Sequence, residues 1–401
     1  MTSSLVGSEM CIRDRVKMQD IGNLALILVT TLVLAHVSRL LKMPAVIGEL
    51  LAGILIGPAL LGWISSTHTI SLFAEIGVII LMFLAGLESD LELLKKYFKP
   101  GMLVAVIGVI VPVVVVFGFA HLWGFNLTSS LFLGITFAAT SVSISVEVLK
   151  ELHALEGRNG ATILGAAVVD DILTVLILSF TVAVLGEQKT TSVPFWLQII
   201  EQLLYFVGIY FVVRWAAPYL MRLSEKLFPA SAVTIMSLLI CLGMAYVADL
   251  VGMSAVIGAF FAGVAVGQTH YRHEVDGNLS AIGYAVFIPV FFVSVGLNMR
   301  FDTFGRDLGF IAILTVLALV TKWVGCGLGD RLAGASWLQS NVVGAGMVSR
   351  GEMALIVAQI GFEAKLMDAE YYSAVIVVIV ITTLIAPVIL KDALHREQEL
   401  V

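Results

Sequence analysis

The tetrapeptide Ala45-Val46-Ile47-Gly48 recurs 210 residues later as Ala255-Val256-Ile257-Gly258, and the same displacement carries Ala52-Gly53 and Gly57 onto Ala262-Gly263 and Gly267. It also carries Gly86-Leu87 onto Gly296-Leu297. Small residues recur in any membrane helix, because they let backbones approach closely. Separate matches in register at one shift point instead to an internal duplication. What the duplication permits depends on how many chain reversals lie between its copies.

The 401 residues are 59% hydrophobic and only 13% charged, with a mean hydropathy of +1.02, whereas soluble domains carry about 25% charge. This excludes an ordinary soluble protein. A spanning helix needs about 20 apolar residues. About thirteen runs qualify, near 20–41, 44–63, 69–88, 101–123, 129–150, 161–184, 195–219, 231–249, 253–270, 280–299, 307–330, 338–362 and 370–391. The expected fold class is an all-α polytopic membrane protein. The repeat maps span 2 onto span 9, an offset of seven. An odd offset turns one copy upside down in the membrane relative to the other. Inverted repeats of this kind build many secondary transporters, with the substrate site near the repeat interface and helices broken around it.

Charge orients the stack. Loops after odd-numbered spans, with the C-terminus, hold thirteen Lys and Arg residues, among them Lys95, Lys96, Lys99, Lys150, Arg158 and Arg272; loops after even-numbered spans hold Lys189, Arg300, Arg306 and Lys365. The positive-inside bias places the native N-terminus outside and the C-terminus in the cytoplasm. Residues 1–17 fit neither a signal peptide nor a span, and read as a non-native leader before a start at Met18. Residues 18–391 form the transmembrane domain and 392–401 a cytoplasmic tail. The three cysteines imply no disulfide framework or metal cluster. No basic patch interleaved with aromatics suggests nucleic acid. No cofactor is expected, and the surrounding partner is the lipid bilayer.

Asp170 and Asp171 lie side by side inside the apolar run at 161–184. A carboxylate at that depth is costly and marks an ion or proton path. Two adjacent ones cannot both ionise easily, so their titrations are coupled. Lys322, flanked by uncharged residues in span 11, is the matching cation. Neighbouring positions on a helix point about 100° apart, so one aspartate can face an ion cavity while the other faces Lys322. The alternative for Lys322 is a snorkel to the interface.

Span 5 reads Ala139-Thr140-Ser141-Val142-Ser143, and the 210-residue shift sets Thr140 opposite Arg350 within Ser349-Arg350-Gly351-Glu352 of span 12. Paired interruptions in corresponding helices point to a transporter binding site, although hydroxyls also serve as interhelical glue. Arg350 and Glu352 either neutralise each other or the dipole ends of a broken helix, or take part in transport.

At these stretches the chain resembles the second family of monovalent cation/proton antiporters, the group of bacterial Na+/H+ antiporters and Kef-type potassium efflux systems. The motifs are Pro44-Ala45-Val46-Ile47-Gly48-Glu49 through Gly57-Pro58, Glu75-Ile76-Gly77 through Gly86-Leu87-Glu88, Ala139-Thr140-Ser141-Val142, Ala167-Val168-Val169-Asp170-Asp171 and Arg350-Gly351-Glu352. The resemblance covers about residues 20–391. It implies an inverted-repeat antiporter fold with two crossed broken helices and about 13 transmembrane helices. A core of spans about 101–184 and 307–391 would move against a dimerisation scaffold of spans about 20–88 and 231–299, with 195–219 as linker. Asp171 would carry the cation and proton, Asp170 would pair with Lys322, and Thr140 and Ser141 would lie beside the site, Arg350 and Glu352 supporting it. The implied activity is Na+ (or Li+) exchange for H+, electrogenic with two aspartates, in a homodimer in the bacterial inner membrane. The alternative is Kef-type K+/H+ exchange, although such members carry Gln-Asp at this point. Gly327-Leu328-Gly329-Asp330 matches an intramembrane aspartyl protease pattern, but no Tyr-Asp dipeptide accompanies it, and Asp330 beside Arg331 reads as an interfacial helix end.

Overall fold

A computed structural model describes residues 3–41, 43–89, 91–185, 195–226, 231–298, 308–363, 366–367 and 369–400. Every regular element among them is a helix. The first nine are α1 (Ser3–Leu40), α2 (Ala45–Ile56), α3 (His68–Glu88), α4 (Leu91–Trp123), α5 (Leu127–Ala138), α6 (Val142–Glu151), α7 (Arg158–Leu185), α8 (Phe195–Phe211) and α9 (Ala217–Ser224). The rest are α10 (Ala232–Leu250), α11 (Ala255–Gly267), α12 (Arg272–Ile282), α13 (Ile288–Leu297), α14 (Leu308–Leu332), α15 (Trp337–Gly346), α16 (Gly351–Glu363) and α17 (Ala369–Leu400).

Among the described residues nine helices are long and apolar enough to cross a membrane, counting Leu127–Glu151 through its break. The thirteen runs expected from hydropathy therefore do not all become single spanning rods. α2 and α11 have 12 and 13 residues, which at 1.5 Å per residue rise only about 18–20 Å against a hydrocarbon core of about 30 Å. The run at 338–362 is divided into α15 and α16. Residues 3–17, expected as a leader, continue α1 as helix, with side chains outside the described residues. Lys189, Arg300, Arg306 and Lys365, one side of the charge comparison, also lie outside them.

Two π-turns were not foreseen, Val212–Ala216 between α8 and α9 and Gly283–Phe287 between α12 and α13. Each ends two residues before a proline, Pro218 or Pro289. A proline ring collides with the carbonyl four residues back and supplies no N–H; widening one turn relieves both.

The chain forms two compact units, Met1–Val78 with Ile282–Met299, and Ile79–Ala281 with Arg300–Val401. The first has its own apolar cluster of Ile27, Ala52, Ile56, Ile64, Ile70, Val290, Val293 and Leu297. In it, a Cβ on Gly53 would strike the Val293 carbonyl and Gly296, one on Gly296 would strike Leu50 and Ile54, and one on Gly48 would strike Leu34 and Ala35. The second unit repeats these approaches, with Leu87 rather than its neighbour Gly86 as the second contact of Gly263. Gly263 meets Phe83 and Leu87, Gly86 meets Phe260 and Val264, and Gly258 meets Met244 and Ala245. Gly53, Gly296, Leu50, Ile54, Gly48, Leu34 and Ala35 thus map onto Gly263, Gly86, Phe260, Val264, Gly258, Met244 and Ala245, each by 210 residues. The duplication read from the sequence is present as the same helix-to-helix packing.

Apolar side chains also line outer faces. Leu32 and Val33 of α1, Ile110 and Val114 of α4, Leu239 of α10, and Val316 and Val320 of α14 are all exposed. Continuous faces of this kind suit lipid tails.

Candidate functional site

Two helix breaks in the second unit build the site. α5 starts on Asn126, whose side chain accepts from the Ser129 N–H at 2.7 Å, and stops at Ala138. Ala139, Thr140 and Ser141 then carry no helix. Hydroxyl side chains offer the backbone alternatives to helical bonding, which weakens a helix at such a run. α15 opens with a capping box from Ser336 and Gln339 and runs out through Gly344-Ala345-Gly346. Val348, Ser349 and Arg350 are irregular, and α16 restarts at Gly351 with φ of +45°, where a side chain would be strained and would also strike Ser141.

The two breaks touch. The Ser141 N–H donates to the Ser349 carbonyl at 2.9 Å, the Ser349 hydroxyl donates to the Ser141 carbonyl, and the Ser145 hydroxyl reaches the Gly346 carbonyl at 2.5 Å. Thr383 of α17 accepts from the Gly351 N–H at 3.0 Å, satisfying one exposed donor of α16. These are the crossed broken helices expected at Thr140 and Arg350.

Two cations converge on the carbonyl end of α5. Lys322 Nζ donates to the Ala138 carbonyl at 2.6 Å and to Asp170 Oδ1 at 2.7 Å, with both side chains at most 1% exposed. Lys322 therefore does not snorkel. The Arg350 guanidinium donates to the carbonyls of Ala139 at 3.1 Å and Ala318 at 2.6 Å. Positive charge at a half-helix C-terminus meets the partial negative charge of its unpaired carbonyls. Arg350 thus reaches one carbonyl just past the end of α5 and one inside α14. Glu352 sits in the first turn of α16, with its side chain outside the described residues.

Asp171, the next residue of α7, takes a different direction. It is 6% exposed and lines a small cavity with Met82 of α3, Leu164, Ala167 and Val168 of α7, and Val256, Ile257 and Phe260 of α11. A second cavity of about 290 Å³ shares Leu164, Val168 and Phe260 and reaches Lys95 and Phe98. A third, about 550 Å³ and polar, shares Lys95 and is bounded by Glu88, Glu92, Glu156, Gln268 and Arg272. The three cavities are neighbours in series, the first and second sharing three wall residues and the second and third sharing Lys95. Around the polar cavity, Lys150 pairs with Glu88 at 2.9 Å and Arg272 with Glu156 at 3.0 Å.

The sequence reading missed several partners. Asp330, expected at an interfacial helix end, lies in the last turn of α14 but is fully buried and takes a forked pair from Arg158 at 2.7 and 3.2 Å. Arg158 had been counted only as a loop charge, and nothing local to either residue signals a partner 172 positions away. A protease reading of Asp330 has no second carboxylate in this pair. Thr174 was not singled out; it is buried on α7 with no hydrogen-bond partner for its hydroxyl, as is Thr140. Among the described residues no group of three or more His, Cys, Asp or Glu could hold a metal.

A sodium/proton antiporter from Methanocaldococcus jannaschii, solved by electron microscopy, has the same fold, with a TM-score of 0.70 and 18% identity over 94% of this chain and 96% of its own. A Na(+)/H(+) antiporter from Enterococcus hirae is 54% identical over 376 residues, covering 93% of this chain and 98% of the relative. The Na(+)/H(+)-K(+) antiporter GerN of Bacillus cereus is 42% identical over 92% of this chain and 94% of the relative. The family profile described as sodium/hydrogen exchanger, transmembrane, matches residues 25–396. With the fold, the crossed breaks and near-complete coverage in agreement, this chain belongs to the transmembrane sodium/hydrogen exchanger family.

Proposed function

We propose that the protein exchanges Na+ for H+ across a bacterial plasma membrane by alternating access, with Asp171 carrying the cation or the proton. The observation that carries this reading is the division of labour in the aspartate pair. Asp170 is held by Lys322 in a fully buried ion pair, while Asp171 lines a small cavity that shares walls with a larger one beside it. Protons and Na+ then compete for one carboxylate. A single site that takes whichever ligand is abundant on the open side couples the two fluxes without a separate gate.

The Asp-Asp sequence supports membership of the second antiporter family and electrogenic exchange, Lys322 and Asp170 together setting the charge moved per cycle. α4 to α7 and α14 to α17 act as the moving core in this reading. α1 to α3 and α10 to α13 act as the scaffold and the dimer surface. The basic loops put the polar cavity bounded by Lys95 and Arg272 on the cytoplasmic side. A second cation is favoured by one specific finding, the K+ in the name of the Bacillus cereus relative; K+ then shares the Asp171 site.

The test is proton flux in proteoliposomes with the membrane potential clamped and Na+ or K+ supplied in turn. Na+-driven flux that shifts with voltage is the expected result. Flux with K+ alone, indifferent to voltage, would move the chain to the potassium branch and reduce Asp170 to a structural role.

A further inference from the structure

We propose that the Thr174 hydroxyl is a further ligand of the transported cation, adding a neutral oxygen to the aspartate pair and favouring Na+ over K+. The proposal rests on the exchange reading above and deepens it.

Buried threonines in the helices of this core follow one pattern. Thr136, Thr181, Thr315, Thr321 and Thr383 each donate to the carbonyl four residues back, at 2.6–3.0 Å. That bond is the ordinary way for a helical hydroxyl to be satisfied away from water. Thr174 departs from it. Its side chain is 1% exposed, and its Oγ1 has no hydrogen-bond partner.

Its register explains what it is near. Thr174 follows Asp170 by four residues and Asp171 by three, so it is the helix-surface neighbour of both. Helical side chains lean toward the N-terminus of their helix, which brings this hydroxyl over the aspartates. Asp170 Oδ1 is held by Lys322, but Asp170 Oδ2 is buried without a partner too. A hydroxyl and a carboxylate oxygen are thus left unsatisfied on neighbouring positions of α7. Hard monovalent and divalent cations take oxygen ligands of this kind. Ligand number alone does not select between ions, but an oxygen held on a rigid helix close to the carboxylates sets a small cage, which the smaller ion fills with less strain.

The experiment compares wild type, T174V and T174S in proteoliposomes, reading the apparent KM for Na+, the Na+/K+ ratio and the turnover at saturating Na+. T174V keeps the shape and removes the oxygen; we expect its apparent KM for Na+ to rise about tenfold, the step that one charge-assisted contact makes in an equilibrium constant. The Na+/K+ ratio should fall with it, while T174S restores both. An apparent KM and ratio within twofold of wild type in T174V would overturn the proposal. If T174V does not fold, T174A in detergent is used, with the Na+-induced rise in thermal midpoint as readout; a rise equal to wild type overturns the proposal and a lost rise supports it. A wild-type protein that moves no protons with Na+ would remove the exchange reading itself, a result distinct from any behaviour of the variants.

Discussion

The two halves of the helical core share one plan and oppose each other in charge. Residues 91–185 and 308–400 each run as a long helix, a helix broken in the middle and a second long helix. Shifted by 210 residues, Thr140 falls on Arg350, Pro112 on Lys322, and Asp170 and Asp171 on Val380 and Ile381. At the crossing the first half thus supplies the aspartate pair and the second supplies Lys322 and Arg350, while the Arg158–Asp330 pair runs the other way. Two identical halves would bring like charges together in a place where an unpaired charge is costly. The duplication provides the crossing; the differences between its copies provide the chemistry.

That comparison can be broken most directly at Asp171. D171N should reduce Na+-driven proton flux to the level of empty liposomes while the protein still folds, since Asp170 keeps its partner. Residual coupled flux would remove Asp171 from the carrier role. Next, K322A strips the partner from Asp170 and leaves the Ala138 carbonyl short of a donor. Breaking one side of a buried pair costs about 3–5 kcal/mol, to be read as a lowered thermal midpoint in detergent. The apolar double variant D170L/K322M should recover most of that loss and lack the voltage dependence. A double variant as unstable as K322A would mean the pair is not the source of the cost.

R350M tests the other base. It leaves the Ala139 and Ala318 carbonyls buried without charged donors, a loss of about 3 kcal/mol by the usual worth of such bonds. It should be lower in stability with little change in Na+ selectivity, because the guanidinium meets only main-chain oxygens. Smaller still are G53A and G263A. Each inserts a methyl into a main-chain contact, and overpacking costs about 1–3 kcal/mol. The prediction is that the two lose similar stability, since each new methyl first meets the main-chain carbonyl at the equivalent position, Val293 or Phe83. The weakest expected effect is at the polar cavity. E88Q removes a partly exposed partner of Lys150, worth at most about 1 kcal/mol and diminished by salt.

The sequence carried the parts of this picture that are periodic or chemically costly. The 210-residue register, the aspartate pair and the isolated Lys322 stand out because apolar surroundings leave few reasons for them. Other parts depend on the fold. Arg350 binds carbonyls of Ala139 and Ala318, and a carbonyl has no sequence identity to recognise. Arg158 and Asp330 looked like separate loop and terminus charges, and only the packing of both α7 and α14 against α4 brings them together. The π-turns before Pro218 and Pro289 follow from a local clash, but hydropathy reads straight through them. The short α2 and α11 were overestimated for a related reason: apolar composition continues past the point where the helix ends.

The glycine contacts between α3 and α11 have a mechanical consequence. At Gly86 with Phe260, and at Gly263 with Phe83, main chain rests on main chain with no side chain between them to deform. These two helices make a stiff backing. The cavity wall facing Asp171 is made from the same pair through Met82, Val256, Ile257 and Phe260, whose side chains can change rotamer where the backbones cannot shift. In the exchange cycle proposed above the pair would serve as a bearing, rigid behind and yielding at its face, past which α7 would carry its aspartates.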